Sequence, residues 1–93
     1  MKVQVTSVSF TPAPVLDQLD GLLGWAEIAI DDALAIENVA VRRSRAGRYY
    51  LSFPACDART GRRRTLIRPL TNEARIDLEQ QVFDHLREQR RVA

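Results

Sequence analysis

The hydrophobic period of this 93-residue chain changes once, at "TNEA" (71–74), and that change constrains its fold more than any other feature. Upstream, apolar residues fall at alternate positions in short runs punctuated by Gly, Pro and Asp, the pattern of strands. Downstream they recur at spacings of three and four, the pattern of a helix with one buried face. Leu78, Val82, Leu86, Phe83 and Ile76 share an apolar arc, while Asp77, Gln81, Asp84, Glu88 and Arg91 lie opposite. Thr71 or Asn72 supplies an N-cap, and Glu73 sits well in the first turn. The expected helix runs 16–18 residues.

Upstream, "KVQVTSVSF" (2–10) reads as a strand whose apolar phase slips once, as an edge strand or a bulge requires. Residues 11–21 read as a loop because Pro12 and Pro14 exclude a regular strand, although one helical turn fits at 15–19. "LLGWAEIAID" (22–31) sets Ala26, Ile28 and Ile30 on one face and Trp25, Glu27 and Ala29 on the other. Asp31-Asp32 turns the chain into "LAIENVAVRR" (34–43), where the phase changes between Ile36 and Val39 and predicts a bulge at Glu37-Asn38. "SRAG" is a second turn, with Gly47 supplying positive φ.

"RYYLSFP" (48–54) and "RTLIRPL" (64–70) are read as fourth and fifth strands, joined by a hairpin loop with Gly61 near its tip. The expected fold is therefore α+β: an antiparallel or mixed sheet of about five strands with one C-terminal amphipathic helix. One helix covers only part of such a sheet. Val39, Val41, Leu51 and Phe53 are then expected to lie open and to invite a second subunit, a homodimer formed through the sheet.

Charge is distributed in blocks. The net value is only +2, yet residues 1–41 carry Lys2 against six acids and residues 42–68 carry nine arginines against Asp57. Arg62, Arg63 and Arg64 are consecutive beyond Gly61, with Arg59 and Arg68 on either side; Arg42, Arg43, Arg45 and Arg48 cluster at the preceding turn. Guanidinium groups fork onto phosphate oxygens and are weakly hydrated, so this block suits a polyanion. The competing reading is a solvated face whose arginines pair with the acidic first 41 residues. Of the strand aromatics, Tyr50 is the candidate to stack on a base, because Tyr49, Leu51 and Phe53 share the opposite, core-facing phase.

Other chemistries find little support. Cys56 is the only cysteine and His85 the only histidine; with no third residue to orient them, they make neither a catalytic pair nor a metal site within one chain. No Gly-rich phosphate loop or nucleophile elbow occurs, so no enzyme activity, cofactor or small-molecule substrate is expected. The alternating N-terminus is no signal peptide, and no run approaches the roughly 20 apolar residues of a membrane span. A cytoplasmic protein is expected.

From Trp25 to about Leu86 the chain resembles the SpoVG (stage V sporulation protein G) family of septation and regulatory proteins. The resemblance runs through "AEIAIDDALAIENVAVRR", "AGRYYLSFP", a loop centred on Gly61, and "RPLTNEAR", where Pro69 and Arg75 match the family's segment opening the last helix. It implies one domain over 1–93, with 11–21 a divergent loop and 88–93 a frayed tail. It also implies a homodimer that binds DNA, and in some members RNA, in septation, sporulation or gene regulation. The alternative is a protein-interaction module in division or development that binds no nucleic acid. Where the family has Ser and two basic residues after the strand-ending proline, this chain has Ala55, Cys56 and Asp57. Its basic charge lies further along, and Arg68 stands where a His is common. The residues expected to contact phosphates are thus Arg59, Arg62, Arg63, Arg64 and Arg68, with Arg42, Arg43, Arg45 and Arg48 as a secondary patch.

Overall fold

The computed structural model describes residues 3–57 and 63–92. In chain order the elements are β1 (Val5–Pro12), α1 (Val15–Leu19), β2 (Leu22–Ile30), β3 (Leu34–Arg43), β4 (Tyr49–Ser52), β5 (Ala55–Asp57), β6 (Arg63–Thr65) and α2 (Asn72–Glu88). Strands β1 to β4 form one open sheet in sequence order, every neighbouring pair antiparallel. Helix α2 packs on one of its faces. The class is α+β, as the change of period predicts.

Irregularities in the ladder let a short sequence bury enough apolar surface. Thr6 is the extra residue where Val5 pairs with Ile30 but Ser7 with Ala29. The slip turns Val5 and Val8 to the same side, and both are buried. In β3, Glu37 and Asn38 together oppose Glu27, between the pairs Ala26–Val39 and Ile28–Ile36, with Asn38 at φ 59°. This is the predicted bulge, and it lets Ile36, Val39 and Val41 all face inward. Asp31 and Asp32 turn the chain with φ near 54° and 51°, and Gly47 has φ 82° in the next turn.

The core joins Val5, Val8, Ala26, Ile28, Ile36, Val39, Val41 and Leu51 of the sheet to Val82, Phe83 and Leu86 of α2. Full burial of an aliphatic side chain stabilises by about 1.5–3 kcal/mol, and Ile28, Val39, Val41, Val82 and Leu86 are each fully buried. Tyr49 meets Phe83 with ring centroids 5.8 Å apart. The Thr71 hydroxyl accepts the Ala74 N–H at 3.1 Å and caps α2.

Several expectations are corrected. The sheet has four strands, not five: β5 and β6 pair only with each other, as a separate two-stranded ribbon. Pro54, which lacks an N–H, breaks the ladder after β4, and its carbonyl instead accepts the Leu66 N–H at 2.9 Å. The expected fifth strand therefore ends at Thr65, well short of Leu70. Strand β1 runs on to Pro12, tolerated because β1 is an edge strand, and the helical turn that fits at 15–19 is present as α1.

Val39, Val41 and Leu51 are not open to a second subunit, because α2 already covers them. Ile76 is 47% exposed; it lies about 120° around the helix from Val82, past Phe83 at about 100°. Beyond Glu88 the described residues 89–92 close the end of the helix. Arg90 takes φ 59°, the Arg90 N–H reaches the Arg87 carbonyl, and the Arg91 N–H reaches the Leu86 carbonyl at 2.8 Å. That is a Schellman closure. It sets the Arg91 guanidinium over the Phe10 ring, 5.6 Å from its centroid, and Val92 against the core.

Candidate nucleic-acid interface

Because Leu51 faces the core, its neighbours Tyr50 and Ser52 face away from α2. The register sets Tyr50 directly opposite Arg42 of β3. Beyond β6 the chain bends back, and Arg68 reaches the same place. Arg42, Tyr50, Leu51, Ser52, Phe53, Ala55 and Arg68 thus line one open cleft of about 540 Å³. Two arginines and a tyrosine, from three separate parts of the sequence, meet there.

The remaining predicted arginines are distributed differently. Arg43 and Arg45 line a second hollow of about 430 Å³ with Leu19 and Asp20 at the end of α1. The Arg43 N–H donates to the Gly21 carbonyl at 2.8 Å, which ties this corner together. Arg48 is exposed, its backbone N–H bound to the Ser44 hydroxyl at 3.1 Å. Arg63 and Arg64 lie on β6 opposite Asp57 and Cys56. Arg59 and Arg62, together with the Gly61 tip, lie outside the described residues.

Among the described side chains the ion pairs are Arg75–Glu79 and Arg87–Asp84, both within α2. Arg42, Arg43, Arg45, Arg48 and Arg68 make none with them, so pairing with the acidic N-terminal half does not account for these arginines. His85 is engaged elsewhere: its Nε2 donates to the Val5 carbonyl at 3.2 Å, since a carbonyl can only accept. Among the described residues no cluster of three or more His, Cys, Asp or Glu is placed to hold a metal ion, and no helix is long and apolar enough to cross a membrane.

Sequence reading missed two features here. Trp25 lies on the uncovered face with Tyr50, a relationship that only the strand register reveals. Glu79 is buried on α2, although its angle on the helix was countable.

The family model for SpoVG matches residues 3–88. The chain belongs to the SpoVG family. The match spans every element described. No curated protein matches the chain significantly. Within the SpoVG match, the cleft of Arg42, Tyr50 and Arg68 is the point at which expected phosphate-binding and stacking residues share a surface.

Proposed function

We propose that this SpoVG-family protein is a non-enzymatic, cytoplasmic, homodimeric regulator that binds nucleic acid, DNA or RNA, in septation, sporulation or gene expression. The observation that carries this reading is the cleft where Arg42 and Arg68 flank Tyr50, free of ion pairs with any described carboxylate. Arginine forks grip phosphate oxygens in pairs, and backbone contacts of this kind position a nucleic acid without reading its sequence. Arg59, Arg62, Arg63 and Arg64 extend the basic charge along the chain from this cleft, and Arg43, Arg45 and Arg48 add a flank at the β3–β4 turn.

The dimer fits a second feature. Phe53 and Arg68 also border an apolar groove of about 580 Å³, lined by Ile30, Ile36, Ile67 and Leu70 and by the acids Glu73 and Asp77. A two-fold copy seated there buries the apolar lining of each groove against the other, the self-complementarity an isologous contact needs. Two such copies double the basic surface.

A binding titration against DNA and RNA tests the reading. Affinity falls tenfold or more between roughly 50 and 200 mM salt if several phosphates are neutralised. Salt-independent binding overturns the reading. Absence of binding to either nucleic acid at low salt also overturns it, and leaves the apolar groove as the docking site of a protein-interaction module.

A further inference from the structure

The face of the sheet opposite α2 keeps two large rings partly exposed. Trp25 is 37% exposed and Tyr50 38% exposed, and both stand on that face, since Ala26 and Leu51 beside them point into the core. Across the sheet the register aligns Thr11, Trp25, Ala40 and Ser52 in one row, with Arg42 and Tyr50 paired in the row beside it. Within its row Trp25 is flanked by Thr11 and Ala40, and in the next row Tyr50 is flanked by Arg42. Strands about 4.8 Å apart and residues about 3.4 Å apart put the Trp25 and Tyr50 backbones roughly 12 Å from each other. That is the rise of three to four stacked nucleotides at about 3.4 Å each.

We propose that this face is a platform for single-stranded nucleic acid, with bases stacked on Trp25 and Tyr50 and the backbone held by Arg42 and Arg68. The proposal rests on the nucleic-acid reading above and names the form that is bound. A duplex presents its phosphates and base edges outward and keeps its base faces stacked inside, so it cannot use exposed rings; unpaired bases can. Stacking tolerates any sequence, because every base has a π-face. Charge selects the path. Arg42 and Arg68 lie at the Tyr50 end of the face, whereas Glu27, two residues beyond Trp25 on the same side, repels phosphate from the other end. A strand is thus confined to the line from Trp25 to the arginine cleft.

Trp25 is the only tryptophan, so its fluorescence reports this face alone. The wild-type protein is titrated at low salt with short oligo-dT and oligo-rU and with a blunt duplex of the same length. Single strands are expected to quench Trp25 and the duplex to leave it unchanged. Trp25→Ala and Tyr50→Ala each weaken single-strand binding roughly five- to a hundredfold, Trp25→Phe keeps most of it, and duplex binding is unaffected in all three. Circular dichroism melts establish that each variant is folded; if Trp25→Ala is not, wild-type quenching and Tyr50→Ala decide. Single-strand binding without quenching, and undiminished in the ring variants, overturns the platform while leaving the nucleic-acid reading in place. So does duplex binding that is as tight as single-strand binding and quenches equally. If no nucleic acid binds at low salt, both readings fall together.

Discussion

Glu79, in the middle of α2, accepts the backbone N–H of Leu51 on β4 at 3.0 Å through Oε2, while its Oε1 takes the Arg75 guanidinium at 2.8 Å. At the opposite edge of the sheet, the Gln81 carboxamide accepts the Val5 N–H at 2.8 Å and donates to the Val3 carbonyl at 2.9 Å. His85 and Gln89, four and eight residues on, reach the carbonyls of Val5 and Val8. One helix thereby satisfies backbone groups on both edge strands, β1 and β4. Unpaired strand edges are a standing risk of aggregation, and here polar side chains of the covering helix occupy part of each.

The first prediction concerns Glu79. Glu79→Ala leaves the Leu51 N–H buried without an acceptor and is expected to destabilise the fold by about 1–3 kcal/mol. Glu79→Gln retains an acceptor and costs distinctly less. Urea unfolding followed by circular dichroism reads both as midpoint shifts at constant slope. An alanine variant as stable as the wild type removes the edge-tethering role.

Gly24 carries the second. A Cβ there would run into the Thr11 carbonyl oxygen on the neighbouring strand and lie 2.6 Å from the Phe10 ring. The ring can shift, but the carbonyl belongs to the β1–β2 ladder and cannot do so cheaply. Gly24→Ala is expected to lose about 1–3 kcal/mol, the usual cost of overpacking. Because Thr11 neighbours Trp25 in the register, the same variant also disturbs the open face. A thermal melt within a degree or two of the wild type contradicts this account.

How far the sequence discloses all this depends on which physics governs each feature. Strands β1 to β4 and α2 follow from periodicity, and the bulge at Glu37-Asn38 from one break in it, because burial enforces phase. Glu79 goes unread in the sequence because its charge argues against burial, although about 60° of rotation from Val82 places it inside the apolar arc. The supposed fifth strand had the right alternation, yet the missing N–H of Pro54 decided where the ladder stopped. The meeting of Arg42, Tyr50 and Arg68 was beyond local reading. It depends on the β3–β4 register that the turn at 44–48 sets, and on a bend after Thr65 that no period encodes.

The third prediction separates phosphate contacts from bulk charge. Arg42→Ala and Arg68→Ala each remove one guanidinium from the cleft and are expected to lower the slope of log affinity against log salt by about 0.7–0.9. The double variant lowers it by about twice as much. Arg87→Ala, on α2 beside Asp84, removes the same formal charge but is expected to leave the slope unchanged. Equal effects from all three arginines mean that only net charge matters and that the cleft is not the contact.

The last prediction tests the groove as a dimer surface. Leu70 is 84% exposed and contributes nothing to the core, so a charge there should leave the monomer's stability within about 0.5 kcal/mol. In a two-fold contact through the groove, Leu70 is buried against its copy, and Leu70→Glu adds a carboxylate beside Glu73 and Asp77. Burying that unpaired charge in the contact is costly. Light scattering is expected to give twice the 10.6 kDa chain mass for the wild type and the single chain mass for Leu70→Glu. A folded Leu70→Glu variant that keeps the dimer mass places the dimer contact elsewhere on the molecule.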